Sequence, residues 1–323
     1  MNEVSKVYSL KNTAVLFMVF NRPNTTSKVF ETIRKAKPPR LYVAADGPRK
    51  DKEGEENKIL KVREIATAVD WPCKVKTLFR KKNLGCKSAT SSAITWFFEN
   101  EEQGIILEDD DLPNKDFFYF CEFLLNYYLD NKEILTISGN NFQDGNKRGD
   151  ASYYFSKYFQ CWGWAGWRRS WNYYDGELSF WPKWKYSEDW KKKLPKKVER
   201  KYWEKIFDLN YNKKINSMSY PFTASLWYHG GVNIIPNVNL VSNIGFGEEA
   251  THTKSKKDYG NNVPSKTLGN IIHPTSIKIN LEADNYDFNW LFGGRNLTFP
   301  RNLMIFFYSR LSLIYKKIKK ILR

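Results

Sequence analysis

The sequence predicts an α/β fold in which a mainly parallel sheet carries helices on both faces. Three observations predict it: apolar strands and amphipathic helices alternate over residues 13–140, the strands are apolar throughout, and polar turns follow them abruptly. Strands that are apolar on both sides are typical of parallel sheets that lie between two helical layers. A chain of 323 residues is also long enough to bury a sizeable core.

The predicted elements follow in the order strand, helix, strand. Strands are predicted at 14–20, 41–45, 74–79, 104–107 and 134–138. Helices are predicted at 24–37, 55–69, 87–99 and 114–129. Asn24 or Thr25 is the predicted N-cap of the first helix, and the pair Pro38-Pro39 is its predicted end.

The rest of the chain has a different pattern. Residues 150–250 are irregular and rich in tryptophan, and residues 254–300 hold few periodic signals. A basic amphipathic helix is predicted at 301–323, because apolar residues recur on one helical face among lysines and arginines. Such a helix is typical of an anchor on an anionic membrane surface, and the alternative is that it docks on the domain itself.

Charge and composition narrow the classes of partner. The net charge is +17, which predicts attraction to phosphorylated substrates, anionic membranes or nucleic acid. The lysine-rich run at 191–197 lacks the regular aromatic spacing of a single-strand binding surface, so we predict a solvated loop there and no nucleic-acid partner. Aromatic residues make up 16% of the chain; most are expected in the core, although flat rings also suit sugars.

The cysteines and the apolar runs predict a cytoplasmic protein. The four cysteines lie far apart, with no metal-site spacing, so free thiols in a reducing compartment are expected. The apolar run at 14–20 is too short for a membrane span of about 20 residues and is predicted to be a buried strand rather than a signal peptide.

An acidic cluster follows the strand predicted at 104–107. Glu108, Asp109, Asp110 and Asp111 are consecutive, and ligands of parallel α/β sheets bind at the carboxyl ends of strands. Four neighbouring carboxylates are costly unless a cation or water screens them, and hard oxygen ligands select Mg²⁺, Mn²⁺ or Ca²⁺. The alternative is an exposed acidic turn that starts a helix.

Other strand ends are expected at the same edge. Arg22 follows the first strand and could form paired hydrogen bonds with a phosphate. Asp46 follows the second strand and could accept a hydrogen bond from a base or ribose. Gly85 would permit a close backbone approach, and Lys87 adds a positive charge at the start of the next helix.

These segments resemble a known family. The block L-E-D-D-D-L-P-N-K-D-F-F at 107–118, with F-N-R-P at 20–23, A-D-G at 45–47 and N-L-G-C at 83–86, resembles bacterial glycosyltransferases of surface-polysaccharide assembly. It is more distantly similar to N-acetylglucosaminyltransferase I. The resemblance continues at C-W-G-W (161–164) and is most specific over residues 235–253.

The resemblance implies a GT-A fold and a set of roles. Residues 1–253 would form one domain, with a nucleotide-binding half at about 13–140 and an acceptor half at about 141–253. Asp110 would ligate Mn²⁺ or Mg²⁺, Glu108 and Asp109 would hold the donor sugar and ribose, and Arg22 and Asp46 would grip the nucleotide. A loop at 247–253 would close over the diphosphate with His252, and Trp162 and Trp164 would line the acceptor side, with core packing as the alternative for the tryptophans.

The chain departs from the family at the expected catalytic base. The relatives carry an Asp where this chain has Ser219, and a serine at its ordinary pKa cannot act as a base. Glu188 and Asp189 are the predicted substitutes, and the alternative is that they are a surface pair at the start of the lysine run.

The expected function is transfer of a sugar from a nucleoside-diphosphate donor to a saccharide acceptor. The acceptor is expected to be lipid-linked and the reaction inverting, with the protein peripheral on the inner face of the cell membrane. Two alternatives stay open: a sugar-phosphate nucleotidyltransferase, and a non-catalytic carbohydrate-binding relative that lost its base.

Overall fold

The computed structural model describes residues 8–245, 262–298, 300 and 301. Its strands are β1 (Ala14–Val19), β2 (Arg40–Ala45), β3 (Lys74–Phe79), β4 (Gln103–Glu108), β5 (Asp111–Pro113), β6 (Ile134–Ser138), β7 (Tyr153–Ser156), β8 (Trp164–Trp167), β9 (Val232–Pro236) and β10 (Val241–Asn243). The helices are α1 (Pro23–Ala36), α2 (Glu55–Thr67), α3 (Cys86–Asn100), α4 (Lys115–Tyr127), α5 (Arg168–Trp171), α6 (Trp181–Trp184), α7 (Glu188–Lys193), α8 (Lys197–Tyr211), α9 (Ser219–Tyr228) and α10 (Leu281–Trp290).

A central sheet of eight strands organises the described residues. Its order is β3-β2-β1-β4-β8-β6-β9-β7, and a separate ribbon pairs β5 with β10. β8 is antiparallel to both of its neighbours and β7 is antiparallel to β9, whereas the other pairs are parallel. This mostly parallel, Rossmann-like arrangement confirms the predicted fold class.

The strands predicted in the first 140 residues all occur, each within two residues of its predicted bounds. β1 is buried along its whole length and β2 and β4 nearly so, because helices cover both faces of the sheet. β3 lies at the edge of the sheet, and its side chains are mostly exposed.

The predicted start of α1 is wrong. Arg22, rather than Asn24 or Thr25, is the N-cap, and Pro23 occupies the first turn. Proline fits this position because its fixed φ suits a helix and its missing N–H would have no partner there. The hydroxyl of Thr25 instead donates back to the Arg22 carbonyl oxygen over 3.2 Å.

The tryptophan-rich segment is far more regular than the sequence indicated. It supplies β7, β8 and β9 to the central sheet and contains the long helices α8 and α9. The run at 191–197 is likewise not a loop, since it contains the end of α7 and the first residue of α8. The strands are only four or five residues long, so little periodicity marks them.

Most aromatic rings are core residues, as expected. Beside the apolar clusters that pack on the sheet, a further apolar core gathers five tryptophans of the segment after α5: Trp181, Trp184, Trp190, Trp203 and Trp227. Neighbouring rings meet mostly edge to face, as between Trp181 and Trp190, whose centroids lie 5.0 Å apart.

Residues 254–300 were predicted to have few regular elements, yet α10 lies there and docks on the sheet through buried carboxylates. The Ser156 hydroxyl donates to Asp284 Oδ1 and Gln143 Nε2 donates to Asp287 Oδ1, each over 2.6 Å. The amphipathic helix predicted at 301–323 lies outside the described residues except for its first position. Within the described ranges, no helix is long and apolar enough to span a membrane.

We expect the docking of α10 to make stability depend on pH. Burial raises the pKa of Asp287 to about 8, and the charge of Asp284 adds to the rise. Since an unfolded aspartate titrates near 4, the folded chain holds a proton that the unfolded chain has lost between about pH 4 and 8. Stability therefore falls as pH rises across this window, by up to about 1.4 kcal/mol per pH unit for this group.

Asp287→Asn keeps an oxygen that accepts from Gln143 and removes the ionisation. Urea unfolding from pH 5 to 8 should show a flatter fall for the variant than for the wild type. Asp130→Asn, at an exposed residue, is the control and should follow the wild-type slope. Parallel slopes for all three proteins would contradict a buried, protonated Asp287.

Candidate functional site

A cavity of about 310 Å³ opens where β1, β2, β3 and β4 end. We call it the strand-end cavity. Its wall includes Arg22 after β1, Asp46 after β2, Arg80 after β3, and Glu108 and Asp109 at the end of β4. These residues converge because β1 pairs in parallel with both β2 and β4, so their carboxyl ends meet.

Arg22 joins the first strand end to the acidic cluster. Its guanidinium donates to Asp109 Oδ1 through Nη2 and to Asp110 Oδ2 through Nη1, the latter over 2.8 Å. The backbone N–H of Phe20 also donates to Asp109 Oδ2 over 3.1 Å. Burial lowers the pKa of Arg22, but the charges of Asp109 and Asp110 outweigh it, so its pKa lies above the ordinary value.

The cluster carries more negative charge than Arg22 can balance. Burial raises the pKa of Glu108 to about 8, and the charges of Asp110 and Asp109 add to the rise. Burial also raises the pKa of Asp109, but only to about 6, because the charge of Arg22 lowers it. These shifts mean that the site favours either protonated carboxyl groups or an added cation.

Asp111 is the most deeply buried member of the cluster, at 1% exposure. Its Oδ2 accepts from the backbone N–H of Gly163 over 2.8 Å and from that of Glu108 over 3.1 Å. Its Oδ1 is buried without a hydrogen-bond partner, and burial raises its pKa well above the ordinary range. Asp111 therefore holds the turn after β4 against the loop before β8.

The β5–β10 ribbon brings a distant segment against the cluster. Asn243 pairs with Asp111, and the N–H of Ile244 donates to the Asp110 carbonyl over 2.9 Å. A Cβ at Gly245 would stand only 1.8 Å from Asp110 Oδ2, so the close approach requires glycine. Residues 241–245, part of the segment with the most specific resemblance, thus lie beside the acidic residues and the strand that follows them.

Asp46 shapes the cavity wall through backbone contacts. Its carboxylate accepts from the N–H groups of Leu84 over 3.0 Å and Gly85 over 3.1 Å. Gly47 packs against the backbone of Lys82, which a Cβ would meet at 2.4 Å. The predicted contact of Asp46 with a nucleotide stays a prediction, but its carboxylate already has these backbone partners.

Of the two basic residues predicted at this edge, Arg22 lines the cavity and Lys87 does not. Lys87 turns away, since its Nζ donates to the Gly176 carbonyl over 2.5 Å and faces Glu177 at 3.3 Å. Arg80 lines the cavity instead and donates to Ser92 Oγ over 2.7 Å. Sequence reasoning missed Arg80, although the rule that selected Arg22 and Asp46, a polar residue directly after a strand, also selects it.

A second cavity, of about 560 Å³, adjoins the first. We call it the aromatic cavity because rings from the segment after β6 to the residues just after α10 line it: Phe142, Tyr158, Phe159, Trp162, Tyr202, Trp203, Tyr220 and Phe292. Cys86, Thr90 and Glu108 belong to the walls of both cavities. Glu108 therefore stands where the two cavities meet.

The predicted acceptor-side residues divide between wall and core. Trp162 lines the aromatic cavity, with its ring 5.5 Å from that of Phe142. Trp164 is 1% exposed and packs among Phe159 and Phe222, so the packing alternative describes its position. Ser219 begins α9 on the wall of the aromatic cavity, 2.9 Å from Ser217 Oγ.

The predicted catalytic pair is not brought to either cavity. Glu188 and Asp189 lie in the first turn of α7, and Glu188 is 73% exposed and pairs with Lys191. The surface alternative describes this position: acids favour a helix start, and the Ser187 side chain caps it. His252 and the loop at 247–253 lie outside the described residues.

The described carboxylates do not by themselves form a complete metal site. Within the part of the chain that the structure describes, no three His, Cys, Asp or Glu side chains are grouped as a set of metal ligands. The predicted Mn²⁺ or Mg²⁺ at Asp110 therefore stays a prediction.

Fold and site together define a Rossmann-like α/β protein with a charged, ligand-sized cavity at the carboxyl ends of parallel strands. No protein-family model matches the chain, and a search of curated proteins found no match. Among solved structures, apo-UDP-glucose pyrophosphorylase is similar over 46% of this chain and 65% of its own, at 11% identity and a TM-score of 0.25. A similarity of that size carries no argument about function.

We expect Asp46→Ala to destabilise the protein even without a ligand. The substitution leaves the Leu84 and Gly85 N–H groups without their charged acceptor, at a cost of about 2–4 kcal/mol. Urea unfolding would measure it, with Asp51→Ala, at an exposed residue of the neighbouring loop, as the control. Equal stability of both variants and the wild type would show that Asp46 does not hold the 83–85 loop.

Proposed function

We propose that this chain is a nucleotide-sugar-dependent glycosyltransferase of the GT-A type. The observation that carries the proposal is the junction of two unlike cavities at Glu108. One is charged and lies at the carboxyl ends of parallel strands, and the other is lined by aromatic rings. A group transfer between a phosphorylated donor and a saccharide needs two such compartments side by side.

The donor would occupy the strand-end cavity. Its wall offers the guanidinium groups of Arg22, Arg49 and Arg80, and an anionic diphosphate suits them. Glu108 and Asp109 face the same space and would accept hydrogen bonds from sugar hydroxyls. In the transfer, an acceptor hydroxyl oxygen bonds to the anomeric carbon as the bond to the diphosphate breaks. The nucleoside diphosphate leaves with the electron pair, and the hydroxyl proton passes to a proton acceptor.

A divalent cation fits the chemistry of this edge. The donors are carboxylate oxygens, and burial, together with the charge of the neighbouring Asp110, raises the pKa values of Glu108 and Asp109, so a cation would favour their ionised forms. We propose that Asp110 holds Mn²⁺ or Mg²⁺, with the donor's phosphates supplying further ligands. When bound, such an ion stabilises the negative charge of a departing diphosphate.

The saccharide acceptor would occupy the aromatic cavity, with Trp162 in its wall. Glu188 and Asp189 line neither cavity, so the proposal gives them no part in the transfer. A lipid-linked acceptor and a place on the inner face of the membrane belong to the same proposal. They rest on the basic sequence at 301–323 and on the net charge of +17.

The nucleotidyltransferase alternative is less well supported. Such an enzyme normally has a glycine-rich loop after its first strand, and the turn Asn21-Arg22-Pro23-Asn24 after β1 is a poor match to it. A non-catalytic carbohydrate-binding role is favoured by one observation: Ser219 stands at the aromatic wall where the similar family has an aspartate.

Thermal melting with a panel of nucleoside diphosphates and nucleotide sugars, with and without Mn²⁺, tests the donor site. We expect one nucleotide with Mn²⁺ to raise the melting temperature by several degrees, since a ligand at 100 times its Kd adds about 2.7 kcal/mol. Asp110→Asn should abolish the metal-dependent part of the rise.

Glu188→Gln is the matched control, because Glu188 is an exposed carboxylate outside both cavities. It should shift with nucleotide as the wild type does. If no nucleotide stabilises the wild type, or if Asp110→Asn shifts equally, the proposed donor site is wrong.

A second experiment tests whether Ser219 limits the transfer. Ser219→Asp places a carboxylate on the aromatic wall at the start of α9, where an acid also suits the helix. Since general bases contribute about 10²–10⁴-fold, we expect transfer to rise at least about tenfold. Ser217→Asp, on the same wall, should not raise it. Donor turnover absent from the wild type and from both variants would favour the non-catalytic alternative.

A further inference from the structure

The aromatic cavity differs from the rest of the molecule in its charge. The chain carries a net charge of +17, yet no lysine, arginine or histidine is among the described residues that line this cavity. Glu108 is the one acidic side chain of that described wall. An anionic ligand would therefore meet no compensating cation.

Hydroxyl groups line one side of the aromatic cavity. Ser217, Ser219 and Thr223 line the side formed by α9 and the residues before it. Tyr202 and Trp203 of α8 also line the cavity. Ser217 and Ser219 hydrogen-bond to each other, and Thr223 donates to the Ser219 carbonyl. A purely apolar ligand would desolvate the remaining acceptor sites of these hydroxyls without new partners, which is costly.

We propose that the aromatic cavity binds an uncharged saccharide ring. The identity of this ring rests on the proposed function, under which it would be the terminal residue of the acceptor. The apolar face of a pyranose packs on aromatic rings, and its hydroxyls exchange hydrogen bonds with the serine and threonine hydroxyls. Any phosphate of a lipid-linked acceptor lies outside this cavity, because no described cation lines it.

A matched set of small glycosides tests the proposal directly. Methyl glycosides of glucose, galactose, mannose and N-acetylglucosamine are compared with those of glucuronic and galacturonic acid, the last two carrying a carboxylate at C6. Saturation-transfer NMR measures binding, both to the protein alone and with the nucleotide and Mn²⁺ that raise its melting temperature. We expect at least one neutral glycoside to bind at least tenfold more tightly than its uronic acid counterpart.

Two variants locate the binding. Tyr202→Ala removes one ring of the wall and should weaken the neutral glycoside at least fivefold. Tyr186→Ala removes a ring that is 76% exposed outside the cavity and should leave binding unchanged. Ser217→Arg adds a guanidinium to the wall and should raise the affinity for the uronic acid glycoside, which a loss of folding cannot do.

The outcomes separate this inference from the donor proposal. Equal or tighter binding of the uronic acid glycosides to the wild type would overturn the inference. Absence of neutral binding while nucleotide and Mn²⁺ still stabilise the protein would overturn it and leave the donor site standing. Suppose that a neutral glycoside binds, that Tyr202→Ala weakens this binding, and that no nucleotide stabilises the protein. This outcome would support the saccharide site and contradict the transferase proposal.

Discussion

The excess of carboxylates after β4 is the constraint on which the arrangement of the site depends. Four acids follow one buried strand, and a single guanidinium, that of Arg22, pairs with two of them. Burial makes each unbalanced charge costly, so neighbouring segments bring backbone groups, not side chains, close to the carboxylates. The N–H of Gly163 donates to Asp111, and Gly245 lies against Asp110. The divalent cation of the proposed function would supply the positive charge that the described residues lack.

The first half of the fold could be predicted from sequence because its signals are local. Long apolar runs mark β1, β2 and β4, and the rule that ligands meet strand ends placed Arg22 and Asp46 on one cavity with the β4 acids. Arg80 was missed because β3 is a polar edge strand and lacks the continuous apolar run that marks β1, β2 and β4. Residue type predicted the charge of Lys87 but could not reveal its partner Gly176, which lies 89 positions away.

The second half could not be predicted because its order is set by distant contacts. β8 is buried between β4 and β6, and nothing in its tryptophan-rich sequence indicates the two strands that it joins. The same holds for α10, whose aspartates would suggest an exposed helix but lie buried against Gln143 and Ser156. Glu188 was predicted to replace the missing base, whereas helix α7 keeps it on the surface.

The reversed strand β8 also sets an order of assembly. β4 and β6 do not pair with each other, so the sheet cannot grow past β4 until residue 167 has been synthesised. Before that, β1 can pair with β2 and β2 with β3 through crossovers between sequence neighbours, and β4 can pair with β1, while the outer edge of β4 presents unpaired N–H and C=O groups. During synthesis, the strand ends that bear the charged residues can therefore come together early. The growing chain then exposes the unpaired, aggregation-prone edge of β4 until β8 emerges and pairs with it.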